Sequence, residues 1–289
     1  MRKLLLQLDS SSHPSVFDRV VAFDAGADEV LSYGGVTEDT VPALVHGAVF
    51  TRRPKDLRHT AIFIGGTDTA AGERLLAAVR AAFFGSFRVS VMLDANGSNT
   101  TAVAAVMKLS QATALRGCRT VVAAGTGPVG TRAAGLLARA GADVVITSRQ
   151  LERGTRVAEA VRQRFGGTVG CVVMHDAAQA ASVLEGAEVL LSAGPAGACL
   201  VPLDAWAGSA GLRIVVDLNA VPPPGVAGVE PHDDGVVRDG ATVFGALAVG
   251  TLKMTIHKAC LARLFERNDL VLDVEAIAEV AHEVGVAQG

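Results

Sequence analysis

Short apolar runs rich in β-branched residues alternate with longer amphipathic stretches along most of this chain, the alternation expected of a protein that interleaves strands and helices. In the first third the pattern predicts strands at Lys3 to Leu8, Glu29 to Ser32, Ala61 to Ile64 and Arg88 to Leu93. Helices are expected between them at Ser15 to Ala25, Glu38 to His46 and Thr69 to Phe84. Residues 94–101, DANGSNTT, supply turn and capping chemistry, and an Ala-rich helix to about Leu115 leads onward. A second alternation follows, with strands at Thr120 to Ala124, Asp143 to Thr147, Val169 to Val173, Glu188 to Ser192 and Ile214 to Asp217. Its helices are expected at Val129 to Ala140, Leu151 to Phe165 and around Ala177 to Leu184. An apolar segment from Phe244 runs into a long helix ending near Phe265, and a last helix is expected at Asp273 to Val284. A chain that leaves one unit through a helix and returns through another predicts an α/β protein of two lobes with a cleft between them. We expect a first parallel α/β domain over residues 1–100, a Rossmann-type doubly wound domain over 101–252, and C-terminal helices over 253–289 that pack back on the first lobe.

The second alternation opens on Gly125-Thr126-Gly127-Pro128-Val129-Gly130, a G-x-G-x-x-G turn between a strand and a helix. Gly125 is expected to permit the tight turn, Gly127 to let the backbone approach a pyrophosphate, and Gly130 to let helix and strand pack closely. The helix N-terminus, with unpaired N–H groups and a positive dipole end, then faces the anion. At the end of the next strand, where a carboxylate would bind the ribose of NAD, the chain reads Thr147-Ser148-Arg149-Gln150, with Arg153 and Arg156 following. An Arg beside a small hydroxyl residue suits charge-assisted bonds to a 2′-phosphate, which favours NADP, with NAD as the other option. Ligands of open parallel sheets sit at the carboxyl ends of strands, so the loops beginning Ala193-Gly194 and Leu218-Asn219-Ala220 are expected to rim the nicotinamide half. Plain loop chemistry explains the same glycines and prolines.

With 289 residues the chain has room for two such domains. Half the residues are hydrophobic but only one is Trp and one Tyr, the small branched core of a helix-covered parallel sheet. Mean hydropathy is positive, +0.38, yet no run is long enough to cross a bilayer, and the apolar start is too short for a secretory signal. A net charge of −3 without a basic run argues against a nucleic-acid surface and for a small-molecule partner. Cys118, Cys171, Cys199 and Cys260 lie far apart with no C-x-x-C, as expected of reduced thiols in the cytoplasm. Seven scattered His without H-E-x-x-H predict no metal site.

Six blocks carry a more specific signal: residues 4–18 (LLLQLDSSSHPSVFD), 61–73 (AIFIGGTDTAAGE), 83–102 (FFGSFRVSVMLDANGSNTTA), 124–130 (AGTGPVG), 217–225 (DLNAVPPPG) and 244–266 (FGALAVGTLKMTIHKACLARLFE). Nearly end to end, the chain resembles the NADP-dependent methylene-tetrahydromethanopterin dehydrogenases of methylotrophic bacteria, whose members can also act on methylene-tetrahydrofolate. Departures fall in loops and the middle helices, which leaves NADP against NAD and methanopterin against folate open. The resemblance implies a pterin substrate held by the first lobe, hydride transfer to NADP in one-carbon metabolism, and a homo-oligomer, a trimer being one form. In the first lobe it points to Phe17, Asp18, Asp94, Asn96 and Asn99. Phe17 is equally suited to the core or to stacking on a pterin ring. Asp94 can accept paired hydrogen bonds from a pterin, or simply cap the turn that follows it.

Lys253 and His257, at i and i+4, share one helix face, and spacing alone predicts a solvated polar pair. The resemblance instead assigns them to catalysis. Lys253 would hold a pterin carbonyl or fix the substrate's orientation, and His257 would orient Lys253 or touch the cofactor. Two other functions fit a two-lobed nucleotide-binding chain: a shikimate-type hydroxy-acid dehydrogenase, which needs Lys253 or Asp94 as acid or base, and an NADP-binding sensor without turnover.

Overall fold

In a computed structural model the chain is described over residues 1–288, and it forms two compact units. Met1–Thr100 and the chain from Met254 onward make one, and Thr101–Lys253 the other. The first unit runs β1 (Leu4–Asp9), α1 (Val16–Asp24), β2 (Glu29–Tyr33), α2 (Val41–Val49), β3 (Thr60–Gly65), α3 (Thr69–Ala81) and β4 (Ser90–Leu93), and α4 (Ser98–Ala112) carries the chain out. The second unit holds β5 (Arg119–Ala123), α5 (Pro128–Arg139), β6 (Asp143–Ser148), α6 (Leu151–Phe165), β7 (Thr168–Val173), α7 (Ala180–Val183), β8 (Val189–Ser192), β9 (Ile214–Asp217), β10 (Asp234–Arg238) and β11 (Ala241–Phe244). The helix α8 (Ala246–Arg263) leads back to the first unit, which β12 (Val271–Leu272) and α9 (Val274–Gln288) complete.

In the first unit the sheet order is β12-β4-β3-β1-β2 with every pairing parallel. Strands buried on both faces need unbroken apolar runs, and β3 is buried at all six positions. The helices start on side-chain caps: Ser15 Oγ accepts the Asp18 N–H at 3.2 Å, and the Asp68 carboxylate accepts those of Ala70 and Ala71. Strand order reverses between β1 and β3, where Asp9 is in register with Gly65. Helical connections leave both strands there, one toward each side of the sheet, so a crevice opens at their carboxyl ends.

The second unit has the order β10-β11-β9-β8-β5-β6-β7, all parallel except the β10–β11 pair. Without β10 this is the six-stranded doubly wound arrangement, and its order reverses between β5 and β8. Trp206, 1% exposed, anchors one core layer with Val121, Leu190, Val215 and Val243, and its indole N–H donates to the Ala227 carbonyl at 2.9 Å. Among the described residues, no helix is long and apolar enough to cross a membrane.

Some details differ from the sequence pattern. Residues 177–184 form a three-residue 3-10 turn followed by the four-residue α7 rather than one helix. Phe244 ends a strand: β10 and β11 form a hairpin turned by Asp239 and Gly240, both at positive φ. This Asp-Gly pair is a strong hairpin signal, and β12, only two residues long, offers no periodicity at all. The helix α2 begins at Val41, three residues later than the pattern suggests, because Thr37 and Thr40 form a turn ahead of it.

All four cysteines are free. Cys118 and Cys260 are buried, and burial, reinforced by the nearby Asp94 carboxylate, pushes the Cys260 thiol up to about 12. Burial also raises the Cys171 thiol. A thiol needs access and ionisation to react, so iodoacetamide at neutral pH is expected to modify Cys199 in the native protein and Cys260 only after denaturation. Mass spectrometry showing both labelled at equal rates in the native state would contradict this placement.

Candidate active site

The glycine turn is built by packing as much as by glycine's conformational freedom. Ala124, not Gly125, takes the left-handed backbone conformation at φ 54°, and its N–H donates to Thr147 Oγ1 on the adjoining strand at 2.9 Å. This corrects the expected role of Gly125. A Cβ there would lie 2.6 Å from the Ile146 side chain, and one on Gly130 would lie 2.7 Å from Gly125 Cα. Both are therefore closely packed between α5 and the sheet. Gly127, the N-cap of α5, has nothing nearer than 3.5 Å, so its open face leaves the space a diphosphate needs. Pro128 at the first helical position has no N–H, no side chain caps the helix, and the N–H groups of Val129 and Gly130 are the first-turn donors available to an anion. Thr126 is partly exposed in the same turn. The residues present thus fit a dinucleotide diphosphate.

At the end of β6, Arg149 is exposed and its side chain has no partner among the described residues. Gln150 is exposed beside it, and Arg153 reaches from α6 to the Thr126 carbonyl at 3.4 Å, spanning the glycine turn. Ser148 differs from expectation. It is 5% exposed, its hydroxyl donates to the Gln150 carbonyl at 2.8 Å and accepts the Gln150 N–H at 3.2 Å. Such a turn shapes the strand end but leaves the serine hydroxyl engaged with backbone. Arg156 is paired instead with Glu152.

The rim loops leave the carboxyl ends of β8, which borders the switch point, and of β9, the next strand. Ala193 and Gly194, partly exposed, follow β8, and the Ala193 N–H donates to Ala123 at 3.0 Å. Ala220 is exposed, but Asn219 is 6% exposed and works inside the loop. Its side-chain amide donates to the Pro223 carbonyl at 2.9 Å while its oxygen accepts the Val221 N–H at 2.9 Å and that of Gly197 at 3.4 Å. As arranged, Asn219 braces the loop rather than presenting a group to a ligand.

In the first unit the candidate residues gather at the carboxyl ends of β1, β3 and β4. Phe17 is 51% exposed on α1, which decides against the core alternative. Asp18 is partly buried with Oδ2 pointing over Gly65, where an added Cβ would meet it at 3.4 Å. Asp94 is 1% exposed. Its Oδ1 accepts the N–H groups of Asn99 and Thr100 at 2.9 and 3.0 Å, and its Oδ2 accepts the Thr100 hydroxyl at 2.6 Å. The capping alternative is therefore what forms, because these donors at the start of α4 satisfy the buried carboxylate. Asn99, also buried, donates to the Leu93 carbonyl at 2.6 Å and to Asp273 at 3.0 Å. Asn96 alone of this segment is exposed, in a left-handed turn at φ 56°. Asp9 and Phe63, which no motif singled out, complete the group: Asp9 accepts the N–H groups of Ser11 and Ser15 and so fixes the loop that leads into α1.

Lys253 and His257 do not form a solvated pair. Lys253 is half-buried, whereas His257, one turn further on, has 0% exposure. Its ring stacks on Phe63 at 5.5 Å, lies 6.4 Å from the Phe17 ring, and places Nδ1 3.9 Å from Asp94 Oδ2. With no exposed surface, the His257 ring packs behind Phe17 within the first unit. Among the described residues, no group of three His, Cys, Asp or Glu is placed to hold a metal ion.

A family model described as methylene-tetrahydromethanopterin dehydrogenase, N-terminal, matches residues 16–96. Over 285 residues the chain is 46% identical to the bifunctional protein MdtA of Methylorubrum extorquens, covering 98% of this chain and 99% of that protein. It is 34% identical over 295 residues to the NAD(P)-dependent methylenetetrahydromethanopterin dehydrogenase of the same organism, with 98% and 99% covered. Among solved structures, a quinate dehydrogenase from Corynebacterium glutamicum in complex with NAD superposes with a TM-score of 0.56 over 98% of this chain and 99% of that one; at 14% identity the two share a fold. Identity of this level across essentially the whole length, with the N-terminal family match lying over Phe17, Asp18 and Asp94, leads to one assignment: the chain belongs to the methylene-tetrahydromethanopterin dehydrogenase family.

Proposed function

We propose that this protein oxidises methylene-tetrahydromethanopterin to the methenyl form with NADP, that methylene-tetrahydrofolate is a second substrate, and that it works in the cytoplasm as a homo-oligomer. The observation that carries this reading is the glycine turn with its uncapped helix N-terminus and the exposed Arg149 beyond it, in a chain of this family. The first unit takes the pterin, and the second takes the cofactor through Gly125 to Gly130, Arg149, Gln150 and Arg153.

The substrate's reacting carbon lies between two nitrogens whose lone pairs delocalise the cation left by hydride loss, so no proton moves at that carbon. NADP, when bound, supplies the hydride acceptor. What this chain contributes is position. Phe17 offers an exposed aromatic face to the pterin, backed by His257 and Phe63, and the Asp18 carboxylate and Asn96 amide are placed at the same sheet edge to receive its polar groups. Lys253 holds a pterin carbonyl. A hydroxy-acid dehydrogenase would instead need an acid or base, and Asp94, buried with its oxygens bonded to the start of α4, is unsuited to that task.

Purified protein given NADP and either methylene-pterin is expected to generate NADPH, followed by absorbance. If NADP binds by calorimetry yet neither pterin is oxidised, the proposed activity is wrong. Sedimentation showing only monomer would remove the homo-oligomer.

A further inference from the structure

Asp217 ends β9 with a carboxylate only 2% exposed, and the established parts of the site do not use it. Its Oδ1 accepts the Asn219 N–H at 3.2 Å, and its Oδ2 accepts those of Gly225 at 2.7 Å and Val226 at 3.1 Å. One carboxylate thus ties both ends of the 218–225 loop to the end of β9. The neighbouring loop is fastened to the same point: the N–H groups of Leu200 and Val201 donate to the Gly225 carbonyl at 2.8 and 3.1 Å. Gly225 admits no side chain, since a Cβ would lie 2.5 Å from Asp217 Oδ1 and 2.7 Å from Ser192 Oγ. Burial pushes the Asp217 carboxyl above the usual range while the three N–H groups it accepts pull it back, a cost that plain loop closure in a parallel sheet does not require.

We infer that Asp217 is a positioning residue for hydride transfer, closing the two rim loops into one rigid wall that seats the nicotinamide half of the cofactor. This rests on the proposed use of NADP. The loop after β8 leaves the sheet at its switch point and the loop after β9 leaves from the next strand, on the side of the switch point away from the glycine turn and β6, where the adenosine end belongs. A carboxylate is suited to the task because both its oxygens only accept, so every N–H around it is satisfied at once. An amide at the same place must turn one NH₂ group against donors.

The test compares two ligands. Asp217→Asn and, separately, Gly225→Ala, which keeps Asp217 but pushes the loop off its carboxylate, are titrated with NADP and with adenosine 2′,5′-bisphosphate, which lacks the nicotinamide half. We expect NADP affinity to fall about tenfold or more, with kcat lowered as well, while the bisphosphate binds as in wild type. Unchanged NADP binding, or equal losses for both ligands, overturns the inference. If neither variant folds, hydrogen exchange on the wild-type protein decides: the Gly225 and Val226 amides are expected to be protected like strand amides, and rapid exchange overturns the inference. A wild type that binds NADP but oxidises neither pterin refutes the proposed substrate and leaves the ligand comparison valid.

Discussion

Replacing Lys253 by Ala is expected to lower kcat/KM for the methylene-pterin on the order of a hundredfold, with NADP affinity and thermal stability near wild type. Lys253 is the last residue of the second unit and lies half-buried on α8, one turn before the fully buried His257. An ammonium beside a carbon that is becoming cationic would raise the barrier, so in the proposed role the charge is directed at an oxygen of the substrate. Lys253→Met keeps much of the apolar stem and removes the charge. If orientation depends on the charged hydrogen bond, Met and Ala behave alike; if packing of the stem matters, Met recovers part of the activity. Wild-type kinetics in both variants would leave Lys253 as an ordinary surface residue.

Arg149→Ala is expected to weaken NADP by about 1.5 to 3 kcal/mol, on the order of ten- to a hundredfold, and to leave NAD nearly unchanged. The guanidinium is exposed at the end of β6 with no partner among the described residues, so its removal takes no contact from the fold. Arg153 is already held at the Thr126 carbonyl and can supply only part of the missing charge, which makes Arg149→Ala with Arg153→Ala the more severe pair. Calorimetric titration with each nucleotide separates the outcomes. Equal losses for NADP and NAD would mean that Arg149 serves the part of the cofactor they share.

Much of the architecture was legible because parallel strands buried on both faces must be apolar throughout, and the helices between them carry caps such as Ser15 and Asp68 that mark their starts. The glycine turn was legible for the same reason: three glycines at fixed offsets leave a spacing that survives in one dimension. Its mechanics were not. That Ala124 takes the left-handed conformation depends on Thr147, on a different strand, and no local pattern records that bond. Buried polar groups were the least readable. Asp94, Asn99, Ser148 and Asn219 look in sequence like groups held out to a ligand, yet each is occupied by backbone within the protein. Whether an Asp points inward to donors or outward to a substrate is set by tertiary burial, which composition and period do not encode. Phe17 shows the converse: an apolar residue that would ordinarily be assigned to the core lies exposed.

The discontinuity of the first unit has a consequence for the order in which the chain is assembled on the ribosome. The second unit is one contiguous stretch and can close as soon as Lys253 has emerged, but β4 waits for a neighbour made much later, since Leu270 bonds to Ser90 across 180 residues. Until β12 arrives, β4 is an open strand edge whose backbone N–H and C=O groups have no strand partner on that side. Closure over such a separation is slow, so β4 stays unpaired on that side until residues 271–272 have been made. A chain cut after Lys253 would therefore keep the whole second unit and leave β4 as a template for aggregation.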